Sequence, residues 1–280
     1  MGARGMYKVL TKRDLAPQTR LFKIHAPDIA EKAKPGQFVI VRVDEKGERV
    51  PLTLADWEKE EGEITLIFQE VGASTKKLGM LNVGDEILNI DGPLGNPNDV
   101  KHHSPVAVVC GGVGMAAAYP IAKTLRTEGN TITSIIGAKT KDLLILEDEM
   151  RHVSDELYIS TDDGSKGCKG FVSQVLKTLI EQGKQFNAVY AIGPPLMMKA
   201  TADVTRPFCL KTIVSLNPIM VDGMGMCGAC RVCVGGKTKF ACVDGPLFDG
   251  HEVDFDELVK RLRMYNSEEK TATQFFEHFS

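Results

Sequence analysis

One short tract constrains this chain more than any other: Asp222-Gly-Met-Gly-Met-Cys227-Gly-Ala-Cys230-Arg-Val-Cys233, followed by Cys242. Plant-type two-iron clusters use a first ligand, four residues, Cys, two residues, Cys, and then a distant fourth ligand. Asp222, Cys227, Cys230 and Cys242 match that spacing, with Asp at the first position. The chain must wrap such a cluster closely, and Gly223, Gly225 and Gly228 lack the Cβ that would obstruct it. A carboxylate is a harder ligand than a thiolate but carries the same unit charge, so charge alone does not set the direction in which the potential moves. A zinc site using Cys227, Cys230, Cys233 and Cys242 is the competing reading. Zinc knuckles pair two CxxC hairpins, whereas the last two cysteines here have eight residues between them. A metal-free loop is the third reading, and four exposed thiols would be a liability there. Under the iron reading Cys233 is a spare.

Seven cysteines is an odd number, and four of them fall in this tract. A disulfide framework would spread an even number through a short secreted chain. The clustering points to a reducing cytoplasm, and Cys110, Cys168 and Cys209 read as plain small residues. The start, Met1-Gly2-Ala3-Arg4-Gly5-Met6, has no apolar stretch behind it, so no secretory signal is expected. Met6 also stands where a myristoyl signal wants Ser or Thr. No apolar run approaches the roughly 20 residues of a membrane helix. Hydrophobic residues at 43% and charged residues at 25% of 280 exclude a disordered or coiled-coil chain. A net charge of −3 gives no polyanion-binding surface, so nucleic acid is not an expected partner.

Hydrophobic periodicity divides the chain. Short strand patterns at Tyr7–Leu10, Thr19–Ile24, Gln37–Val43, Val50–Ala55, Glu63–Val71 and Glu86–Ile90 are separated by turns such as Pro35-Gly36 and Gly92-Pro93, with a helix-like piece at Thr75–Leu81. These predict an antiparallel, closed or partly closed β-barrel over residues 1–100. From Pro105–Cys110 onward, buried strands and amphipathic helices alternate: Met115–Arg126, Thr131–Gly137, Leu143–Val153, Leu157–Thr161, Val172–Gln182 and Ala188–Ile192. That pattern predicts a parallel-sheet α/β domain over 101–210. The boundary falls near 97–104, with Asn96-Pro97-Asn98 as linker. The alternation is expected to stop after about Leu210, leaving 211–280 as a cysteine-rich region with a helical pattern at Asp254–Tyr265.

Two glycine turns mark the α/β domain. Cys110-Gly111-Gly112-Val113-Gly114-Met115 joins a strand to a helix, where backbone can approach a pyrophosphate at the helix start. Its spacing is not GxGxxG, so alone it is a weak signal. Gly193-Pro194-Pro195-Leu196-Met197 adds a second turn at the same sheet edge, where ligands bind in such folds. In the barrel, Arg49-Val50-Pro51-Leu52-Thr53 and Gly72-Ala73-Ser74-Thr75 offer a cation and small hydroxyls for a phosphate-bearing ligand. Read singly, Arg49 is a surface charge and Thr53 a strand residue. Asp162-Asp163-Gly164-Ser165 reads as a turn or a ribose contact. His25, His102, His103, His152, His251 and His278 show no ligand spacing and read as surface residues. Trp57, Met220, Met224 and Met226 read as core or cluster wrapping.

The order of these motifs, together with Lys34-Pro35-Gly36-Gln37-Phe38-Val39 and Gly92-Pro93-Leu94-Gly95, resembles the ferredoxin-reductase-type flavoproteins over about residues 6–265. Within them it is similar to electron-transfer subunits of dihydroorotate dehydrogenase. It is more similar to small subunits of the electron-bifurcating NADH-dependent ferredoxin:NADP oxidoreductases, where Asp occurs at the position of Asp222. The resemblance implies FAD held by Arg49, Pro51, Leu52 and Thr53, with Gly72, Ser74 and Thr75 at its pyrophosphate. It implies NAD(H) along Gly111, Gly112 and Gly114, with Asp163, Gly193, Pro194 and Met197 nearby, and a 2Fe–2S cluster on Asp222, Cys227, Cys230 and Cys242. Ile192 stands where many reductases carry a cysteine near the nicotinamide. The implied activity is an oxidoreductase subunit exchanging hydride between NAD(H) and FAD, without a catalytic acid–base pair. Electrons then pass through the cluster to a larger flavin and iron–sulfur subunit, with ferredoxin reached only indirectly. NAD is favoured over NADP, although Lys139 and Lys141 could meet a 2′-phosphate. The remaining alternatives are a dihydroorotate dehydrogenase subunit and a zinc-stabilised, non-catalytic adaptor.

Overall fold

The alternating N-terminal segments build one antiparallel sheet. In the computed structural model, which describes residues 7–97 and 103–279, these are β1 (Tyr7–Ala16), β2 (Thr19–His25), β3 (Phe38–Arg42), β4 (Val50–Glu58), β5 (Glu63–Gln69), β6 (Glu86–Ile87) and β7 (Asn89–Leu94). The expectations placed on residues 1–6, Asn98 and His102 lie outside the described residues. The strand order is β6-β1-β2-β5-β4-β3-β7, so β6 and β7 are opposite edges, yet Leu88 alone separates them in sequence. The sheet must therefore curl until its edges meet, a near-barrel that limits edge exposure. Its interior is filled by Phe22, Ile24, Val39, Val41, Leu54, Ile64, Leu66 and Phe68, with Phe22 and Phe68 edge to face at 5.2 Å. Helices α1 (Pro27–Lys32) and α2 (Ala73–Gly79) fill two connections. The sequence reading passed over α1. Gly92-Pro93 lies inside β7 and not in a turn; an edge strand accommodates a residue that cannot donate to the ladder.

The second sheet follows the expected alternation: β8 (Val106–Gly111), α3 (Met115–Thr127), β9 (Ile132–Ala138), α4 (Glu147–His152), β10 (Glu156–Thr161), β11 (Cys168–Lys169), α5 (Val172–Glu181), β12 (Ala188–Ile192), α6 (Pro195–Thr205) and β13 (Lys211–Ser215). A hairpin of β14 (Arg231–Val234) and β15 (Lys237–Phe240), then β16 (Leu247–Asp249), α7 (Phe255–Leu262) and α8 (Asn266–Phe279), complete the chain. The sheet order is β11-β10-β9-β8-β12-β13-β16, parallel from β11 to β13 and closed by antiparallel β16.

Three expectations need correction. The alternation does not stop near Leu210, because β13 pairs parallel with β12 beyond that point. The helix expected at Leu143–Val153 shrinks to α4, since Leu146 sits at φ 54 in the left-handed region and interrupts it. The helical pattern at Asp254–Tyr265 ends at Leu262, and a separate helix, α8, follows. α6 was also missed: Pro194-Pro195 read as a turn, whereas Pro195 opens the helix, a position proline suits because its missing N–H would be unpaired there.

The α/β sheet and the cysteine-rich segment dock on neighbouring strands of the barrel. α3 packs on β4, where Lys123 Nζ lies 2.9 Å from Asp56 Oδ1. On the next strand, β3, alternate residues part company. Val39 and Val41 enter the barrel core, while Phe38 and Ile40 join Met220, Cys230, Ala241 and Cys242 in a separate buried cluster. A strand apolar on both faces is one buried on both.

Candidate functional site

The cysteine tract holds its four candidate ligands as two pairs. Cys230 and Cys242 are both 2% exposed, and their sulfurs lie 3.1 Å apart. Burial, then the neighbouring Cys230 sulfur, pushes the Cys242 thiol up to about 12. A thiol held this way keeps its proton until a cation displaces it. The other pair is Asp222 and Cys227, on the exposed side of the loop. The Cys227 amide donates to Asp222 Oδ2 at 2.7 Å, and the Met224 amide donates to Oδ1 at 2.9 Å. Those amides, that of Met224 first, hold the Asp222 carboxyl below its usual range. Each oxygen retains a lone pair for a metal. A two-iron group takes two outer ligands on each iron, and this donor set supplies two pairs.

Cys233 goes elsewhere. Its sulfur groups with carboxylates of Asp254 and Glu257, their ligand atoms within 4.8 Å of one another, the one such group of three among the described residues. Asp254 is already engaged in capping α7, accepting from the Glu257 amide at 2.9 Å. The four-sulfur zinc set of Cys227, Cys230, Cys233 and Cys242 is therefore not assembled. Of the methionines, Met220 is buried beside the cysteine pair, while Met224 and Met226 are exposed, so those two are not core. Trp57 is half-buried against the barrel core.

At the edge of the parallel sheet the two glycine turns close on each other. A Cβ on Gly114 would lie 2.7 Å from Gly193 Cα and from the Ile192 carbonyl oxygen, and one on Gly111 would lie 2.8 Å from Met197 Sδ. Gly112 is the opposite case, at φ +57 with nothing within 4 Å of an added Cβ. Pro194 carries the chain from Gly193 into α6. Asp163 forms a turn: its Oδ1 accepts from the Ser165 amide at 2.9 Å and hydroxyl at 2.7 Å, contacts that hold its carboxyl below the usual range. The Lys141 amide donates to Ser165 Oγ at 2.8 Å, tying together the loops after β9 and β10. Cys110 is fully buried, which pushes its thiol up to about 12 and leaves it inert, while Cys168 and Cys209 are exposed.

On the barrel, Leu52 turns inward, whereas Pro51 and Thr53 are half-buried on the outer side. Arg49 is not a free surface charge: its Nη1 lies 3.4 Å from Asp91 Oδ2. Thr75 Oγ1 accepts from the Val71 and Gly72 amides at 3.1 Å, and Ser74 Oγ donates to Glu48 Oε2 at 3.0 Å. An added Cβ on Gly72 would meet open space. Asp91 and Glu48 escaped the sequence reading because neither belongs to a recognisable spacing. One histidine departs from the surface expectation: His251 Nε2 is 2.9 Å from the buried Thr205 hydroxyl.

Comparison with known proteins now bears on this arrangement. A family model described as the iron–sulfur cluster binding domain of dihydroorotate dehydrogenase B matches residues 217–254, and one described as an oxidoreductase NAD-binding domain matches 108–203. A dihydroorotate dehydrogenase B (NAD(+)) electron transfer subunit homolog from Thermotoga maritima is 49% identical over 99% of this chain and 97% of its own. A dihydroorotate dehydrogenase B (NAD(+)) electron transfer subunit from Geobacillus thermodenitrificans is 34% identical over 90% of this chain and 99% of its own. The chain belongs to this family of electron-transfer subunits. A solved chain from the NADH-dependent reduced ferredoxin-NADP oxidoreductase, studied for flavin-based electron bifurcation, is 47% identical with a TM-score of 0.92, covering 99% of both chains. The fold is thus ferredoxin-reductase-like, and the family's cofactor set of FAD, NAD(H) and a 2Fe–2S cluster agrees with the donor groups described above. Among the described residues, no helix is long and apolar enough to cross a membrane.

Proposed function

We propose that the chain passes electrons between NAD(H) and a larger flavin and iron–sulfur subunit, by way of FAD and a two-iron cluster, within an electron-bifurcating oxidoreductase of the cytoplasm. One observation carries this reading. The glycine loop at the start of α3 and the buried cysteine pair abut adjacent barrel strands, β4–β5 and β3, so a flavin on β4 has both within reach. In this reading the chain divides into a flavin barrel at 1–100, a nucleotide domain at 101–210 and a cluster region at 211–280.

Hydride exchange with nicotinamide and one-electron exchange with iron are chemistry that flavin supplies when bound. The chain's own residues position and bind. Arg49, released from Asp91, offers its guanidinium to the flavin's pyrophosphate, where Gly72 leaves open space beside Ser74 and Thr75; Pro51, Leu52 and Thr53 line the strand beneath. The amides at Gly111, Gly112 and Gly114, at the positive end of α3, receive the nucleotide's pyrophosphate. Gly193, Pro194 and Met197 shape the nicotinamide end, and Asp163 presents a carboxylate toward the ribose. That carboxylate favours NAD over the 2′-phosphate of NADP, against the attraction of Lys139 and Lys141. Asp222 and Cys227 hold one iron, Cys230 and Cys242 the other.

The test is an anaerobic titration of reconstituted protein with NADH. The expected result is flavin absorbance that bleaches, with about two irons per chain; colourless or unbleached protein overturns the reading. Asp222 favours the bifurcating complex, as does 47% identity over 99% of both chains to a chain of such an enzyme. The 49% identical dihydroorotate dehydrogenase B electron transfer subunit homolog keeps a dihydroorotate-oxidising complex as the second reading. Isolation of the native complex separates them, because the two readings call for different large subunits.

A further inference from the structure

Strand β3 separates two sites that its outer face touches at once. In the β3–β4 ladder Phe38 lies opposite Thr53 and Ile40 opposite Pro51. Directly opposed residues share a face, with Cβ atoms about 5 Å apart. Leu52 and Leu54 turn into the barrel core, so Pro51 and Thr53 share the outer face with Phe38 and Ile40. On the other side of β3, Leu94 is paired with Phe38. One row of that face therefore reads Thr53, Phe38, Leu94. The same Phe38, Ile40 and Leu94 form the wall of the buried cluster that contains Cys230 and Cys242.

The wall has no slack. A Cβ on Gly223 would lie 2.8 Å from both Ile40 Cγ1 and Leu94 Cδ1, and one on Gly95 would lie 2.9 Å from Phe38 Cε1. Two polar ties hold the seam: Gln37 Nε2 donates to the Gly95 carbonyl at 3.0 Å, and the Asn96 amide donates to the Gly245 carbonyl at 2.6 Å. Phe38 is 4% exposed, in the same buried cluster as Cys230 and Cys242 and opposite Thr53 on β4.

We propose that Phe38, backed by Ile40, is the positioning residue for the electron step between flavin and cluster. This rests on the assignment of FAD to β4 and of the cluster to the cysteine tract. The ring sets the separation and orientation of the two centres and excludes water from between them. Hydride from NADH brings two electrons. With the flavin reduced by that hydride, the cysteine tract's two-iron group would receive the two electrons one at a time, each leaving for a one-electron acceptor on the partner subunit before the next, and the proton carried by the hydride would pass to solvent.

The experiment is an anaerobic single-turnover reaction of the reconstituted full-length chain with NADH, following flavin and cluster absorbance separately. The circular dichroism and midpoint potential of the cluster are measured alongside. Phe38→Ala is expected to slow cluster reduction by about tenfold or more relative to flavin bleaching, and to alter the cluster's dichroism. Phe38→Leu is expected to recover most of the loss. Cluster reduction at the original rate with unchanged dichroism in Phe38→Ala overturns the proposal, as does Phe38→Leu behaving no better than Phe38→Ala. Should Phe38→Ala not fold, Ile40→Ala opens the same wall one row along and carries the same expected and overturning results. A parent protein that NADH does not bleach removes the underlying functional reading instead. Normal bleaching in the parent with a normal Phe38→Ala removes the positioning role alone.

Discussion

The two glycine-rich loops look alike in composition and are built for different reasons. In the loop at 111–114, Gly114 is required by backbone, because the Gly193 turn comes too close for any side chain, while Gly112 faces open space. In the cluster loop, Gly223 is required twice over, by φ +75 and by the Ile40–Leu94 wall. One loop is shaped from within its own sheet and leaves a vacant face for a ligand. The other is shaped from outside, by a barrel strand about 180 residues earlier in the chain. Glycine content alone does not tell a loop that opens toward a ligand from one pressed onto a wall.

That contrast can be broken by substitution. Gly223→Val has the largest expected effect, about 2–5 kcal/mol from the left-handed conformation and the overpacked wall together. Iron per chain should fall steeply while NADH still bleaches the flavin; full iron content would show that the wall does not shape the cluster loop. Gly114→Ala comes next, at about 1–3 kcal/mol, because the opposing atoms are backbone and cannot yield by rotation. Flavin bleaching should require much more NADH while iron content holds, and an unchanged NADH requirement would mean the two turns do not form the nucleotide site. Gly112→Ala is the smallest, about 1 kcal/mol from φ +57 alone. A thermal melt should shift by a few degrees at most, and loss of iron in that variant would end the distinction between the loops.

Much of the fold was legible because periodicity survives in single segments. The run Pro105–Cys110, the glycines and the amphipathic stretch after them gave β8 and α3 nearly to the residue, since a buried parallel strand and a helix leave different spacings. α6 was hidden by Pro194-Pro195, where the same residues that end one element begin the next. α4 was overextended because a left-handed Leu146 leaves no mark in an apolar pattern. In the candidate site, the Cys227–Cys230 spacing was plain, yet the turning of Cys233 toward Asp254 and Glu257 was not. Alternate residues of a strand point to opposite faces, but which neighbour each face meets is a matter of docking. Asp91 beside Arg49 is a similar case, a contact made across the intervening strand β3.

The sequence by itself determined that a two-iron spacing, a strand–glycine–helix unit and a β-rich first third occur in one chain. It also put a strand pattern over Gln37–Val43, within which Phe38-Val39-Ile40-Val41 leaves two apolar faces. Only the tertiary structure decided what those faces meet, the barrel interior on one side and the paired sulfurs of Cys230 and Cys242 on the other. The physical reason is that hydrophobic burial is non-directional. An apolar residue specifies removal from water, and the identity of what removes it comes from elements far away in the chain.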